Sequence, residues 1–219
     1  MPFWDARTGI NPLRYDDALR ARIVRHLASL AAAPAPAPAR ELKRAAVCLI
    51  LADDGAGGAA VVLTRRAERL SAHPGQYALP GGRMDQGESV VAAALRETRE
   101  EIGLALPVEA ILGRLDDYPT RSGYLISPLV AWAPADAVME ANPAEVAAIH
   151  RVPLVDLLLP GSPEFAAIPE SRHPVIRYPL LGTTIHAPTA AVLYQFMEVA
   201  VQGRATRVAH LEQPVWAWR

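Results

Sequence analysis

The sequence predicts an α/β fold, a mixed β-sheet between helical layers, preceded by an additional N-terminal helix. Three observations predict it. Apolar segments of strand length are interleaved with a few segments of helical periodicity. The central helical segment carries apolar residues on one side and carboxylates on the other. At 219 residues, with 51% hydrophobic and 21% charged residues, the chain can bury an ordinary globular core.

Within residues 1–33, Leu19, Ile23, Leu27 and Leu30 form an apolar stripe among arginines, which predicts a helix packed on its own domain rather than on a membrane. Pro34 to Ala39 alternates proline with alanine and reads as an extended, stiff linker. The expected division is therefore a tail, helix and linker over 1–40, then a domain with a C-terminal extension over 41–219. That domain opens with a strand over Ala45–Ala52, a turn at DDGAGG and a second strand over Ala59–Thr64. After a long loop comes the central helix, on which Val91, Leu95, Thr98 and Ile102 recur at helical spacing and the glutamates project from roughly the opposite side. Gly103 suits a left-handed cap. Pro107–Asp116, Tyr124–Trp132 and Val146–Pro153 read as β segments, the first two separated by YPTRSG. Pro188–Val201 reads as a helix with proline in its first turn.

Composition excludes several classes. The net charge of −1 gives no general attraction to nucleic acid or membrane. The single cysteine, Cys48, rules out a disulfide framework and a multi-cysteine zinc site, and its place in the apolar run Ala45 to Leu51 predicts a buried structural thiol. The first residues lack a signal-peptide apolar region, and no apolar run approaches the ~20 residues of a membrane span. The expectation is a soluble cytoplasmic protein with neither nucleic acid nor membrane as partner.

The segment Gly82 to Leu104, GRMDQGESVVAAALRETREEIGL, carries the chemistry. On a helix, Glu97, Glu100 and Glu101 stand at i, i+3 and i+4 and repel one another. A hard divalent cation with oxygen ligands would offset that repulsion. Pro80-Gly81-Gly82 and Gln86-Gly87 read as loop that can bring backbone carbonyls close to an ion. The plainer alternative is a solvated acidic helix end.

These residues resemble the box of the Nudix hydrolases, with Gly82, Glu88, Arg96, Glu97, Glu100, Glu101, Gly103 and Leu104 in its positions and Thr98 where an aliphatic residue is usual. The resemblance implies an α/β/α sandwich and an enzyme that splits a diphosphate linkage using Mg2+ or Mn2+. It implies Glu97, Glu100 and Glu101 as carboxylate ligands, helped by the Gly82 carbonyl, with Glu88 binding through water or bracing the loop. Arg96 would orient a glutamate. The general base stays open between Glu97 or Glu100 in the box and Glu145 from a later loop, with Glu109, Asp116 and Asp117 as further carboxylates that nothing singles out.

Upstream, LTRRAERLSAHPGQYALPGG (Leu63 to Gly82) resembles the signature of the coenzyme A diphosphatase branch through Thr64, Arg66, Ala67, His73, Gly75, Gln76, Pro80, Gly81 and Gly82. Ser71 stands where that signature has arginine and Leu79 where it has phenylalanine. Arg65, Arg66, Arg69, Arg83, His73 and Gln76 are the candidates for substrate binding, since coenzyme A presents several phosphates to fixed cations. For Arg65, Arg66 and Arg69 the alternative is a solvated basic edge, and for His73 a turn cap. Weaker resemblance continues through TRSGYLISPLV, NPAEVAAIHRVPL and IHAPTAAVL, where His186 and Pro188 depart from the branch pattern. The implied partner is a small nucleoside diphosphate derivative, coenzyme A favoured, and a homodimer is a further expectation. ADP-ribose, a dinucleotide or a nucleoside triphosphate is the alternative substrate. The lack of four zinc-binding cysteines argues against the zinc-bearing NADH diphosphatase type. A non-catalytic nucleotide-binding domain is the third reading, disfavoured because every box glutamate is present. Trp216 and Trp218 are expected to pack on the body or on a second subunit.

Overall fold

The computed structural model describes residues 13–30, 42–70 and 73–217. The first twelve residues, the Ala-Pro linker, Ser71 and Trp218 lie outside the described residues. Eight strands form one sheet: β1 (Lys43–Asp53), β2 (Ala59–Arg66), β3 (Tyr77–Ala78), β4 (Gly81–Arg83), β5 (Ile111–Arg114), β6 (Tyr118–Pro119), β7 (Tyr124–Trp132) and β8 (Val146–Pro153). β1 and β7 run parallel, and the other pairs are antiparallel, so the sheet is mixed as expected.

Period-two alternation sorts the strand side chains between two cores. Leu49, Leu51, Val61 and Leu63 face the larger core, which includes Leu19, Ile23 and Leu27 of α1 (Asp17–Ser29) and the buried side chains of α3 (Thr189–Gln195). Cys48, Ile50, Ala52 and Val62 face the smaller core, with Ala93, Ala94 and Ile102 of α2 (Val90–Ile102). The N-terminal helix is thus packed on this chain's own sheet. Its first turn is closed by Asp16, whose side chain accepts from the Leu19 N–H at 2.9 Å. Ser89 does the same for α2, accepting from Ala92 N–H at 3.1 Å, and Gly103 ends that helix at φ 67°. Thr98 is fully buried, and its hydroxyl donates to the Ala94 carbonyl at 2.7 Å, so a threonine is accommodated where an aliphatic residue is usual.

One irregularity positions the site. β1 pairs with β2 only through Leu51, Ala52 and Asp53. Nearer its start, Ala45, Ala46 and Val47 pair instead with β4, and β2 pairs onward with β3 through Thr64 and Arg65. The two strands therefore fork, and the segment 77–83 fills the fork, tied in by the Cys48 N–H donating to Pro80 O at 2.8 Å. Gly81 and Gly82 lie at that junction, against α2.

Several elements differ from expectation. Pro107–Asp116 starts as a short 3-10 turn, Val108–Ala110, and only Ile111–Arg114 is strand. The helix over Pro188–Val201 is α-helical to Gln195 and continues as a π-helix over Phe196–Val201. A second antiparallel sheet, β9 (Glu164–Ile168), β10 (Ser171–Leu180) and β11 (Thr183–His186), was not expected. Pro174 and Pro179 within β10 mask the strand pattern, and a register break between Ser171 and Val175 accommodates the first. Among the described residues, no helix is long and apolar enough to cross a membrane.

Candidate active site

Arg96 is the hub of the carboxylate cluster. It holds Glu88 at both oxygens, Nε to Oε1 at 2.9 Å and Nη2 to Oε2 at 3.0 Å. Its Nη1 donates to Glu97 Oε1 at 2.8 Å and to Glu100 Oε2 at 3.0 Å, while Nη2 also reaches the Arg83 carbonyl at 3.2 Å. A planar guanidinium with five N–H groups can make this set; an ammonium cannot. The paired Arg96 holds Glu88 below the usual carboxylate range, helped by the Asp85 N–H. Glu88 is thereby fixed as a brace between loop and helix.

Glu101 differs from expectation. It is only 4% exposed and lies on the buried stripe with Ala94 and Thr98, three residues beyond Thr98, rather than on the solvent side of the helix. Burial pushes its carboxyl up to about 8, with the charges of Glu97 and Glu145 acting in the same direction. The Gly81 N–H, donating to Glu101 Oε2 at 3.2 Å, and the nearby charge of Arg66 oppose that rise. Glu97 is also raised, by burial first and then by Glu100 and Glu145, against the pull of Arg96. Two adjacent carboxylates are thus held where the anionic form is under-compensated.

Glu145 lies near enough to this pair for its charge to raise both Glu97 and Glu101. Its loop is tied to both sides of the site. The Asn142 N–H donates to the Glu101 carbonyl at 2.9 Å, and the Ala67 N–H donates to the Glu145 carbonyl at 2.8 Å. Arg69 adds two bonds, Nη2 to Pro143 O at 2.7 Å and Nε to Ala144 O at 3.3 Å. Glu109, Asp116 and Asp117 are not brought to the cluster. Asp116 is paired with Arg207 and Gln195, and Asp117 with Arg114 and Ser127.

Among the described residues, no three acidic, imidazole or thiol groups already converge as a cage for a metal ion. Arg96 draws Glu97 and Glu100 to itself, and Glu101 sits behind them. The donor chemistry nevertheless fits a hard divalent cation: carboxylates and a backbone carbonyl, with two of the carboxylates raised by burial and mutual repulsion. Gly82 fits as well, because a methyl group there would lie 2.6 Å from the Glu97 carboxylate.

Beside the cluster opens a pocket of ≈ 700 Å³. Gly81, Gly82, Arg65, Arg66, Arg83, His73 and Gln76 line it, so five of the six expected substrate-binding residues, together with the Gly82 junction, share one cavity. Arg65 is also paired with Glu68 at 2.6 Å. Arg69 is the exception: it does not line the pocket, and its guanidinium holds the Glu145 loop instead. Leu79 is buried in the larger core, as a packed turn residue.

Another part of the wall lies outside the expected substrate-binding residues. It comprises Thr120, Ser122 and Tyr124 at the start of β7, the segment Thr183–Thr189, and Gln213 and Trp216 from the C-terminal end. The TRSGY and IHAPTAAVL segments had a sequence signal only through resemblance; Gln213 and Trp216 depend on the chain's return, which no local spacing reveals.

Known proteins complete the picture. The NUDIX domain model matches residues 41–172. The uncharacterized Nudix hydrolase NudL of Photorhabdus laumondii is 35% identical over 141 residues, 63% of this chain and 75% of the relative. That of Yersinia pestis is 39% identical over 99 residues, 45% of this chain and half of the relative's length. Among solved structures, a MutT/nudix family protein from Enterococcus faecalis is similar over 83% of this chain and 72% of its own, with a TM-score of 0.47 at 16% identity. With more than half of its length under the family model, and with a relative that it covers by three quarters, the chain belongs to the Nudix hydrolase family.

Proposed function

We propose that this protein hydrolyses the diphosphate linkage of a nucleoside diphosphate derivative in a divalent-metal-dependent reaction, and that coenzyme A or its thioesters are the substrate, giving 3′,5′-ADP and a phosphopantetheine. The observation that carries the reaction is the pair Glu101, buried, and Glu97, partly buried, both raised, beside a pocket lined by Arg65, Arg66 and Arg83. Glu97, Glu100, Glu101 and the Gly82 carbonyl would hold Mg2+ or Mn2+, with Glu88 braced by Arg96 rather than ligating directly. When bound, such an ion neutralises diphosphate charge and makes water more acidic. The chain's own part is to hold the substrate phosphates with the pocket arginines, to fix Glu97 and Glu100 through Arg96, and to take a proton from the attacking water at a carboxylate. Glu145 serves as that base, on a loop that Arg69 and Ala67 anchor near Glu97 and Glu101.

Coenzyme A is supported by the Leu63–Gly82 segment and by the convergence of Arg65, Arg66, His73 and Gln76 on one cavity. One observation favours a second reading, ADP-ribose or another nucleoside diphosphate derivative: Arg69 is engaged with Pro143 and Ala144, so it does not replace the missing arginine at position 71. The protein acts in the cytoplasm, and a homodimer is the proposed assembly.

Incubation with Mg2+ or Mn2+ and coenzyme A, acyl-coenzyme A, ADP-ribose, NADH and nucleoside triphosphates, followed by chromatography, tests the reading. Release of 3′,5′-ADP from coenzyme A is expected; preferential AMP release from ADP-ribose would sink the coenzyme A assignment. Glu101→Gln should lower kcat by roughly 10³-fold or more, and full activity in that variant would remove the carboxylate assignment.

A further inference from the structure

Trp216 lies in the short 3-10 turn Val215–Ala217. The residue is 54% exposed, yet it lines the pocket. Its ring meets His186 edge to face, with centroids 5.4 Å apart and an interplanar angle of 84°. Two rings at right angles do not stack on each other, so the Trp216–His186 contact is not itself a stacked pair.

The surroundings set the character of the ligand. Besides the basic residues and Trp216, the wall includes Val47, Tyr124, Ile126, Ile185 and Val192. These are apolar groups with hydroxyls beside them at Thr120 and Ser122. His186 is held toward its neutral form by burial and then by the charge of Arg177. At ≈ 700 Å³ the cavity exceeds what a diphosphate alone requires and is within the range of small-molecule sites.

We infer that Trp216, with His186 set against it, forms a stacking subsite for the planar heteroaromatic base of the substrate, in the same pocket whose arginines take its phosphates. This rests on the nucleoside diphosphate reading of the same cavity. A base offers a π face to the Trp216 ring, and such stacking tolerates different bases because each has one. The phosphates meet the arginines, and the base is read by shape.

Binding of AMP and of ribose 5-phosphate, which share the phosphate and sugar and differ by the base, tests the subsite by calorimetry. The wild-type protein should bind AMP at least about tenfold more tightly than ribose 5-phosphate. Trp216→Ala should weaken AMP binding roughly 5- to 100-fold, leaving ribose 5-phosphate unchanged, and Trp216→Phe should keep most of the AMP affinity. Equal binding of the two probes by the wild type, or unchanged AMP affinity in Trp216→Ala, overturns the subsite. The two readings separate cleanly. Hydrolysis of the substrate panel with no contribution from Trp216 removes the subsite and leaves the reaction; base-dependent AMP binding without hydrolysis of any diphosphate does the reverse.

Discussion

A methyl group on Gly82 would meet the tip of the Glu97 side chain, whereas one on Gly81 would meet the backbone of Ala46 and Val47. Gly81 also has φ 150°. The far end of a glutamate can move aside, but a strand backbone cannot. Gly82→Ala is therefore expected to fold with a melting temperature within about 3 °C of wild type, while kcat falls roughly 100-fold because the Glu97 carboxylate is displaced. Gly81→Ala should instead lower the melting temperature by about 5 °C or more. Thermal melts of the two variants beside steady-state kinetics check both; a Gly82→Ala enzyme with full kcat would separate position 82 from the Glu97 geometry. The same scale shows what was legible in the sequence. The glutamate trio was legible from helical spacing and the rest of the box through resemblance to the family pattern, but the burial of Glu101 was not, although Ala94, Thr98 and Glu101 follow a helical i, i+4, i+7 stripe that contains the signal.

The loop 142–145 was read as a candidate source of the base, and what makes it so is contact between elements far apart in the chain. Arg69, just after β2, bonds to carbonyls some 74 and 75 residues away, a pairing that no local periodicity encodes. Removing that clamp should loosen Glu145 without touching the pocket lining. Arg69→Ala is expected to lower kcat roughly 10- to 100-fold with KM nearly unchanged, and Arg69→Lys should restore part of it by donating to one carbonyl. A KM effect alone, with kcat intact, would return Arg69 to phosphate binding. The regular elements were legible for a simpler reason: β1, β2, β7, β8, α1 and α2 each bury a face at the period of their own backbone. β9 to β11 lack that clarity, because prolines interrupt the longest of the three strands and the sheet is half exposed.

At the scale of the whole molecule, the carboxylate cluster sets a conflict between stability and catalysis that pH and metal should expose. Glu101 is raised from 4.5 to about 8, mainly by burial. Across that window the folded chain retains a proton that the unfolded chain has released, so the slope of stability with pH is negative. The stabilising difference is fully present below the unfolded value and is lost as pH rises through about 8. Without metal, the melting temperature should therefore decline from about pH 5 to about pH 8. Glu101→Gln, having no proton to lose, should flatten that decline and be the more stable protein at the alkaline end. Saturating Mg2+ or Mn2+ competes with the proton for the same oxygens, so its stabilising effect should grow over the same interval. Differential scanning fluorimetry of both proteins across this range, with and without metal, reads the effect directly. A metal-induced shift that is equal at both ends of the range, or one that persists in Glu101→Gln, would place the ion elsewhere than at the buried end of α2.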